Sequence, residues 1–241
     1  MQAPSARAAR EIAVAAADDD VPVQELRGAV EALLGRLLPA DDLFFCSLDL
    51  GAGTATATRR GVPDTALGAA LVPACADHPA VLSYLHAPGD LRPRRVSDVA
   101  DDRTWRRSRS YRDLFAARGG RFQLSVLSGL SGTVGHGWIV TRASADFTDR
   151  ELDTALALAP LARLVGHAGA VPVQDSGLTR RETAVLDLVA EGLTAEAIAH
   201  TLGIAPGTVR KHLEHVYEKL GAHDRLLAVD RARRLGLLPP R

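Results

Sequence analysis

Residues 207–221 read GTVRKHLEHVYEKLG and hold both lysines of the chain, whose other basic residues are all arginine. On an ideal helix, with about 100° per residue, Val209, Leu213, Val216 and Leu220 fall in one narrow sector and need a core to face. Lys211 and Glu214 stand nearly opposite that stripe, flanked by Arg210 and His215. Such a face has the chemistry to address base edges, because Arg or Lys donates to guanine O6 and N7 while Glu accepts from cytosine N4. Thr194 and Thr208 at helix starts, with Lys219, suit phosphates instead, since helix N-termini and cations both favour anions. Periodicity alone leaves equal room for a small amphipathic helical domain with a solvated charged face.

The elements that must position this face are legible just upstream. LTRRETAVLDLVAEG opens with Thr179 and Glu182, a capping box, carries Val185, Leu186 and Val189 as a buried stripe, and is stopped by Gly192. A second helix takes Thr194 as its N-cap and runs through Ile198 and Leu202 to Gly203. A third begins near Pro206, whose missing amide is harmless at the first helical position. Two helices joined by a Gly-containing turn form a helix-turn-helix, whose second member enters the DNA major groove.

The run LTRRETAVLDLVAEGLTAEAIAHTLGIAPGTVRKHLEHVYEKLGAHDRLLAV resembles the LuxR-type helix-turn-helix domain almost from end to end. It shares L-T-x-R-E, the V-L-x-L-x-A-x-G-L-T run, I-A-x-x-L-G-I, T-V-x-K-H, K-L-G and R-x-x-A-V. The resemblance implies four helices, the third as reader and the fourth, Arg225 to Leu235, as dimer contact. It implies double-stranded DNA and a second copy of the chain as partners, with inverted half-sites about one helical turn apart. The DNA-binding set is then Thr194, Thr208, Val209, Arg210, Lys211, Glu214, His215 and Lys219, with Arg210, Lys211 and Glu214 reading bases. Two positions depart from the pattern. Ala205 stands where the family often has a Ser or Thr cap, at a cost of ~1 kcal/mol, and Gly207 costs roughly 1 kcal/mol relative to Ala in the first turn.

The 241 residues carry 29 basic and 29 acidic groups, so no global field advertises nucleic acid or membrane and any binding surface is local. With 46% hydrophobic residues the chain can build a real core. Two cysteines, Cys46 and Cys75, make no metal or disulfide spacing, and there is neither a signal-peptide pattern nor an apolar run long enough to span a bilayer, which points to the cytoplasm. Gly, Pro, Asp and Ser in HAGAVPVQDSGLT mark a break near residues 168–177. The expected organisation is a domain over 1–170, a linker over 171–177 and the helix-turn-helix domain over 178–241.

Upstream of the break, VQELRGAVEALLGRLL predicts a helix ended by Pro39. LFFCSLDL and TATATRRG predict a hairpin around GAG, and helical pieces follow around Asp64 to Ala76 and Pro79 to His86. Then come extended RRVSDV, helical TWRRSRSYRDLFAARG, a second hairpin from RFQLSVLSG and TVGHGWIVTR, and a closing helix from FTDRELDTALALAPLARLVGHA capped by Thr148 and Glu151. The Ala-rich first seventeen residues read as frayed or loosely helical. The fold class is an α+β N-terminal domain, an antiparallel sheet with helices, joined to an all-α four-helix domain.

Residues 78–167, through HPAVLSYL, RPRRVSDV, WRRSRSYRDLF, RFQLSVL and ADFTDRELDTALALAPL, resemble a GAF-like sensor domain. The resemblance implies a pocket on one sheet face, or a dimerisation module, with a small-molecule effector as a possible partner. His78, Trp105, Tyr111 and Arg112 are the candidate pocket residues, because pockets combine aromatic walls with a few polar groups; Trp105 and Tyr111 serve equally as packing. Arg103, Arg106, Arg107, Arg109 and Arg112 amid Asp98, Asp101, Asp102 and Asp113 read as a solvated ion-pair network. Cys46 and Cys75 read as buried small apolar residues, with a redox sensor as the alternative.

Other chemistries fit less well. A phosphoreceiver needs a lysine, and residues 1–175 contain none. SGLSGTVGHG lacks the last glycine of a nucleophile elbow, and GAGTAT lacks the third glycine and helix of a dinucleotide loop. His212 and His215 have metal-like spacing but no third ligand. Trp105, Tyr111 and Asp113 have the wrong spacing for an acyl-homoserine-lactone receptor, which remains the runner-up. No catalytic residue, cofactor or metal is expected.

Overall fold

Alternation along three strands sets up two cores, one on each face of a sheet. Strand β1 (Asp42–Asp49) directs Phe44, Cys46 and Leu48 to one side and Phe45 to the other. It pairs with β2 (Thr54–Arg59) and with β6 (Val134–Arg142), which brings Phe45 opposite Trp138. The sheet runs β3-β2-β1-β6-β5-β4, with β3 at Val62–Pro63, β4 at Arg94–Arg95 and β5 at Phe122–Ser131, and every pairing is antiparallel. Between Leu127 and Gly129 the register slips at a bulge. Gly137 sits beside it, where a Cβ would lie 2.5 Å from the Val126 carbonyl oxygen, so only glycine lets the strands close there.

The computed structural model describes residues 3–18, 20–169, 177–234 and 237–238, without the side chains of 3–5, 167–169 and 234. The expected linker at 171–177 therefore lies, apart from Gly177, outside the described residues.

On one face, Phe45, Leu124, Val126, Trp138 and Val140 pack against α2 (Val23–Leu37) and α6 (Asp149–Gly169). The start of α6 is the expected capping box: Thr148 Oγ1 accepts from the Glu151 amide, and Glu151 accepts from the Thr148 amide at 2.8 Å. Burial works against the Glu151 charge, but an ion pair with Arg142 and the Thr148 hydrogen bonds hold its carboxyl down at about 2. On the other face, α3 (Thr65–Cys75), α4 (Pro79–His86) and residues 102–118 cover Phe44 and Leu48.

Three expectations change. RRVSDV is extended only at Arg94–Arg95 and then turns into a short 3-10 helix at Val96–Asp98, where Asp98 accepts from the Arg95 amide. Residues 3–16 are not loose: they form α1 (Ala3–Ala16), which buries Ile12, Ala13 and Ala16, because small side chains let it lie close against α2 and α6. The segment TWRRSRSYRDLFAARG is not one helix. It forms α5 (Asp102–Arg107), breaks at Ser108, whose ψ is 151°, and resumes as a π turn at Ser110–Phe115. Asp77 enforces the break by accepting from the Arg109 and Ser110 amides at 2.7 and 3.1 Å, a long-range cap that no local pattern reveals.

The C-terminal part comprises α7 (Arg180–Ala190), α8 (Ala195–Leu202), α9 (Pro206–Leu220) and α10 (Arg225–Arg234). Its apolar interior is continuous with the α1/α2/α6 core. Polar ties reinforce the junction: Arg180 Nη1 donates to the Val21 carbonyl at 3.1 Å, and Arg163 pairs with Glu191.

Candidate functional site

The turn between α8 and α9 is set by Gly203, which has φ +66° and ends α8 in the left-handed conformation. A Cβ at this position would meet Val14 Cγ2 at 2.9 Å, so the same glycine admits α1 against the turn. Helix α9 then begins at Pro206. Ala205 caps it without any side-chain hydrogen bond, as its side chain has no acceptor to offer.

Helix α9 packs on α7, α8 and α10. Val209, Val216 and Leu220 are buried and Leu213 is half-buried. Val209, which belongs to the expected contact set, is 0% exposed and so faces the core rather than a ligand. The opposite side presents Thr208, Arg210, Lys211 and Glu214 to solvent. Arg210 Nη2 lies 3.2 Å from Glu196 Oε1 of α8, both largely exposed, an ion pair weak enough to exchange for another partner. Thr194 caps α8 by accepting from the Ala197 amide at 3.3 Å.

The two lysines part company here. Both lysines are exposed, but Lys219 Nζ lies 2.6 Å from Glu182 Oε2. Glu182 is 3% exposed, and its side chain also accepts from the Thr179 amide at 2.8 Å as the return half of the α7 capping box. Burial pushes the Glu182 carboxyl up, but Lys219 and Thr179 outweigh it and hold it below its ordinary value. His215 adds its Nδ1 at 3.6 Å from Glu182 Oε1. Lys219 therefore ties α9 to α7 with His215 beside the same carboxylate, leaving Thr208, Arg210, Lys211 and Glu214 as the outward face.

The N-terminal domain contains a cavity of about 80 Å³ between the sheet and α3–α4. Of the four expected pocket residues, His78 lines it. Trp105 is 2% exposed and stands behind His78 at 5.0 Å between ring centroids, with Tyr111 against Trp105 at 5.4 Å. Its indole N–H donates to the Arg121 carbonyl at 2.8 Å. Arg112 is exposed to solvent. Trp105, Tyr111 and Arg112 thus lie outside the cavity wall, although Trp105 is a buried member of the second core and the same segment sends Phe115 into the wall. The wall comes from Cys46 and Cys75, expected only as buried small residues, and from residues without an individual signal in the sequence: Leu48 and Ile139 from the sheet, and Leu71 and Val81 from the helices. Strand alternation hinted only at Leu48 and Ile139.

His78 caps α4: its Nδ1 accepts from the Ala80 amide at 3.2 Å, which leaves the proton on Nε2 to be donated to Gln123 Oε1 at 2.8 Å. Burial lowers its pKa to about 4 despite the Gln123 bond and nearby Asp77, so it is neutral. Burial likewise pushes the Cys46 thiol up to about 12 and Cys75 up as well, which suppresses the thiolate a redox sensor needs. The arginine-rich segment pairs in part as expected, Arg106 and Arg121 with Asp102 and Arg109 with Asp113. Asp101 instead caps α5. Among the described residues no cluster of His, Cys, Asp or Glu could hold a metal ion, and no single helix is long and apolar enough to cross a membrane.

Residues 176–232 match the sequence model of a family described as bacterial regulatory proteins, luxR family, a family of regulators rather than of enzymes. Over 64 residues the chain is 42% identical to the Bacillus subtilis transcriptional regulatory protein YdfI, covering 27% of this chain and 30% of that one. Over 61 residues it is 48% identical to the probable transcriptional regulatory protein NarL of Mycobacterium tuberculosis, covering 25% and 28%. The chain thus spans less than a third of the length of these relatives. The crystal structure of Escherichia coli SdiA aligns over 90% of this chain and 92% of its own at 16% identity, with a TM-score of 0.37. The capped four-helix arrangement and the matched residues together make the C-terminal part of this chain a helix-turn-helix domain of the luxR family of bacterial regulatory proteins.

Proposed function

We propose that this chain is a cytoplasmic transcription regulator that binds double-stranded DNA sequence-specifically as a homodimer, with a GAF-like domain over residues 1–170 that answers to a small molecule. The observation that carries the reading is the two-sided character of α9: a buried Val209/Val216/Leu220 stripe and, opposite it, solvent-facing Thr208, Arg210, Lys211 and Glu214. In this mechanism α9 lies in the major groove, Arg210 and Lys211 donate to guanine edges, and Glu214 accepts from cytosine. Thr194 and Thr208 hold phosphates at the starts of α8 and α9. Helix α10 pairs the subunits, a role that suits Leu226, which is 75% exposed.

The test is binding of the full-length protein to labelled upstream DNA over a range of salt. Log affinity should fall linearly with log salt, and the footprint should show inverted half-sites about one helical turn apart. A footprint without two-fold symmetry overturns the dimer reading.

The apolar cavity favours a ligand-controlled N-terminal domain over one that only pairs subunits or docks a protein. Native mass spectrometry separates the two. An added small mass lost on denaturation supports the receptor reading, including its lactone-receptor variant, whereas a dimer of bare chains supports pairing alone.

A further inference from the structure

We propose that Arg231 is a positioning residue for DNA binding, which fixes α9 to α10 and so sets the separation between half-sites that a dimer accepts. This rests on reading α9 as the helix in the major groove and α10 as the pairing helix, and it adds the contact that joins the two.

Helix α9 ends in a glycine turn. Gly221 has φ +62°, and the turn returns the Gly221 amide to the Glu218 carbonyl at 3.0 Å and the Ala222 amide to the Tyr217 carbonyl at 2.7 Å. The carbonyls of Leu220 and Gly221 take their partner from another helix. Arg231 Nη1, from α10, donates to the Leu220 carbonyl at 2.8 Å and to the Gly221 carbonyl as well. A helix C-terminus carries partial negative charge, so the guanidinium is held there electrostatically as well as by its hydrogen bonds. Glycine at 221 admits this contact, because a Cβ there would lie 2.6 Å from Arg231 Nη1 and displace it.

Helix α10 has two sides. Ala228, Val229 and Ala232 are buried in the domain, whereas Leu226 is 75% exposed and Asp230, four residues on, is exposed on the same face. The first turn of α10 is anchored separately, by Arg225 Nη2 donating to the Val189 carbonyl of α7 at 2.6 Å. The buried side chains of α10 are small and their apolar contacts are non-directional, which leaves its angle to α9 loosely fixed. Arg231 supplies a directional contact. In a two-fold dimer the two copies of α9 meet the groove at a set separation only if each is held firmly to the helix that pairs the subunits.

The experiment compares the full-length wild type with Arg231→Met, which keeps a long apolar stem and removes the donors. The DNA probes are the site that the wild type selects from a pool of random duplexes, one isolated half of it, and the same site lengthened by two base pairs between the halves. The insertion turns one half by roughly 70° and shifts it by about 7 Å. Wild type should bind the selected site at least about tenfold more tightly than the lengthened one. Arg231→Met should bind the single half within about twofold of wild type and form the same dimer in sedimentation, because Arg231 lies outside the pairing face. Its preference for the selected over the lengthened site should fall at least about threefold. Arg231→Lys, a cation with fewer donors, should fall between the two and carries the test if the Met variant does not fold. An unchanged preference, or a loss of affinity as large on the single half as on the selected site, overturns the proposal. If the wild type selects no site of two inverted halves, the dimer reading fails and the proposal with it. If the wild type discriminates spacing and neither variant alters it, the dimer reading stands and the role of Arg231 fails.

Discussion

Two lysines on one helix have different tasks because one of them faces a buried carboxylate. Lys219 neutralises Glu182, whose side chain also returns the capping bond to Thr179, so Lys219→Ala leaves a buried charge with one partner fewer. We expect a loss of about 1–2 kcal/mol in denaturant unfolding, with the Lys half exposed and the stabilisation discounted accordingly. Lys211→Ala should leave stability within about 0.5 kcal/mol and weaken DNA binding, by ~1–3 kcal/mol if it reads a base. Equal effects of the two substitutions on stability and on DNA affinity would contradict this division of roles. His78 supplies a pH signature. Its unfolded-state pKa is about 6.5 and its folded value about 4, so between these limits the unfolded chain binds a proton that the folded chain excludes. The stability that neutral His78 confers is complete above the unfolded pKa and is lost as pH falls towards the folded one. In denaturant titrations the stability gap between wild type and His78→Asn should narrow by about 2 kcal/mol from about pH 7 to about pH 5.

At the scale of elements, local signals worked where the stabilising partner is close in sequence. The boxes at Thr148/Glu151 and Thr179/Glu182, the Thr194 cap and the Gly203 stop all form within four residues, and each appears where the spacing places it. The helix expected across residues 104–119 broke because its capping partner, Asp77, is about thirty residues away and reaches it only in the folded chain. The reader helix keeps its local weakness: Ala205 makes no cap bond. Ala205→Ser should therefore raise the melting temperature of the full-length protein, with a stabilisation of ~1 kcal/mol. An unchanged melting temperature would show that the α9 amides are already satisfied by other means.

At the scale of the molecule, one apolar core runs from α1, α2 and α6 into α7–α10, although composition splits the chain in two. Helix α1 is central to that continuity, lying against α8 and placing Val14 beside Gly203. We expect full-length unfolding to be a single cooperative transition in scanning calorimetry. Ala13→Asp, which buries an unpaired carboxylate in the shared core, should resolve it into two. A single transition in that variant would show that α1 does not couple the two halves.

The sequence by itself determined the capped helices of the C-terminal part, the two hairpins and the outward face of α9, since helix periodicity, strand alternation and capping are read over a few residues. The tertiary structure decided what depends on partners distant in the chain: that α1 packs rather than frays, that Lys219 looks inward to Glu182, and that Trp105 and Tyr111 stand behind His78 instead of lining a pocket. It also decided where the cavity lies, because a space bounded by one face of a sheet and two helices has no counterpart in any local stretch of residues.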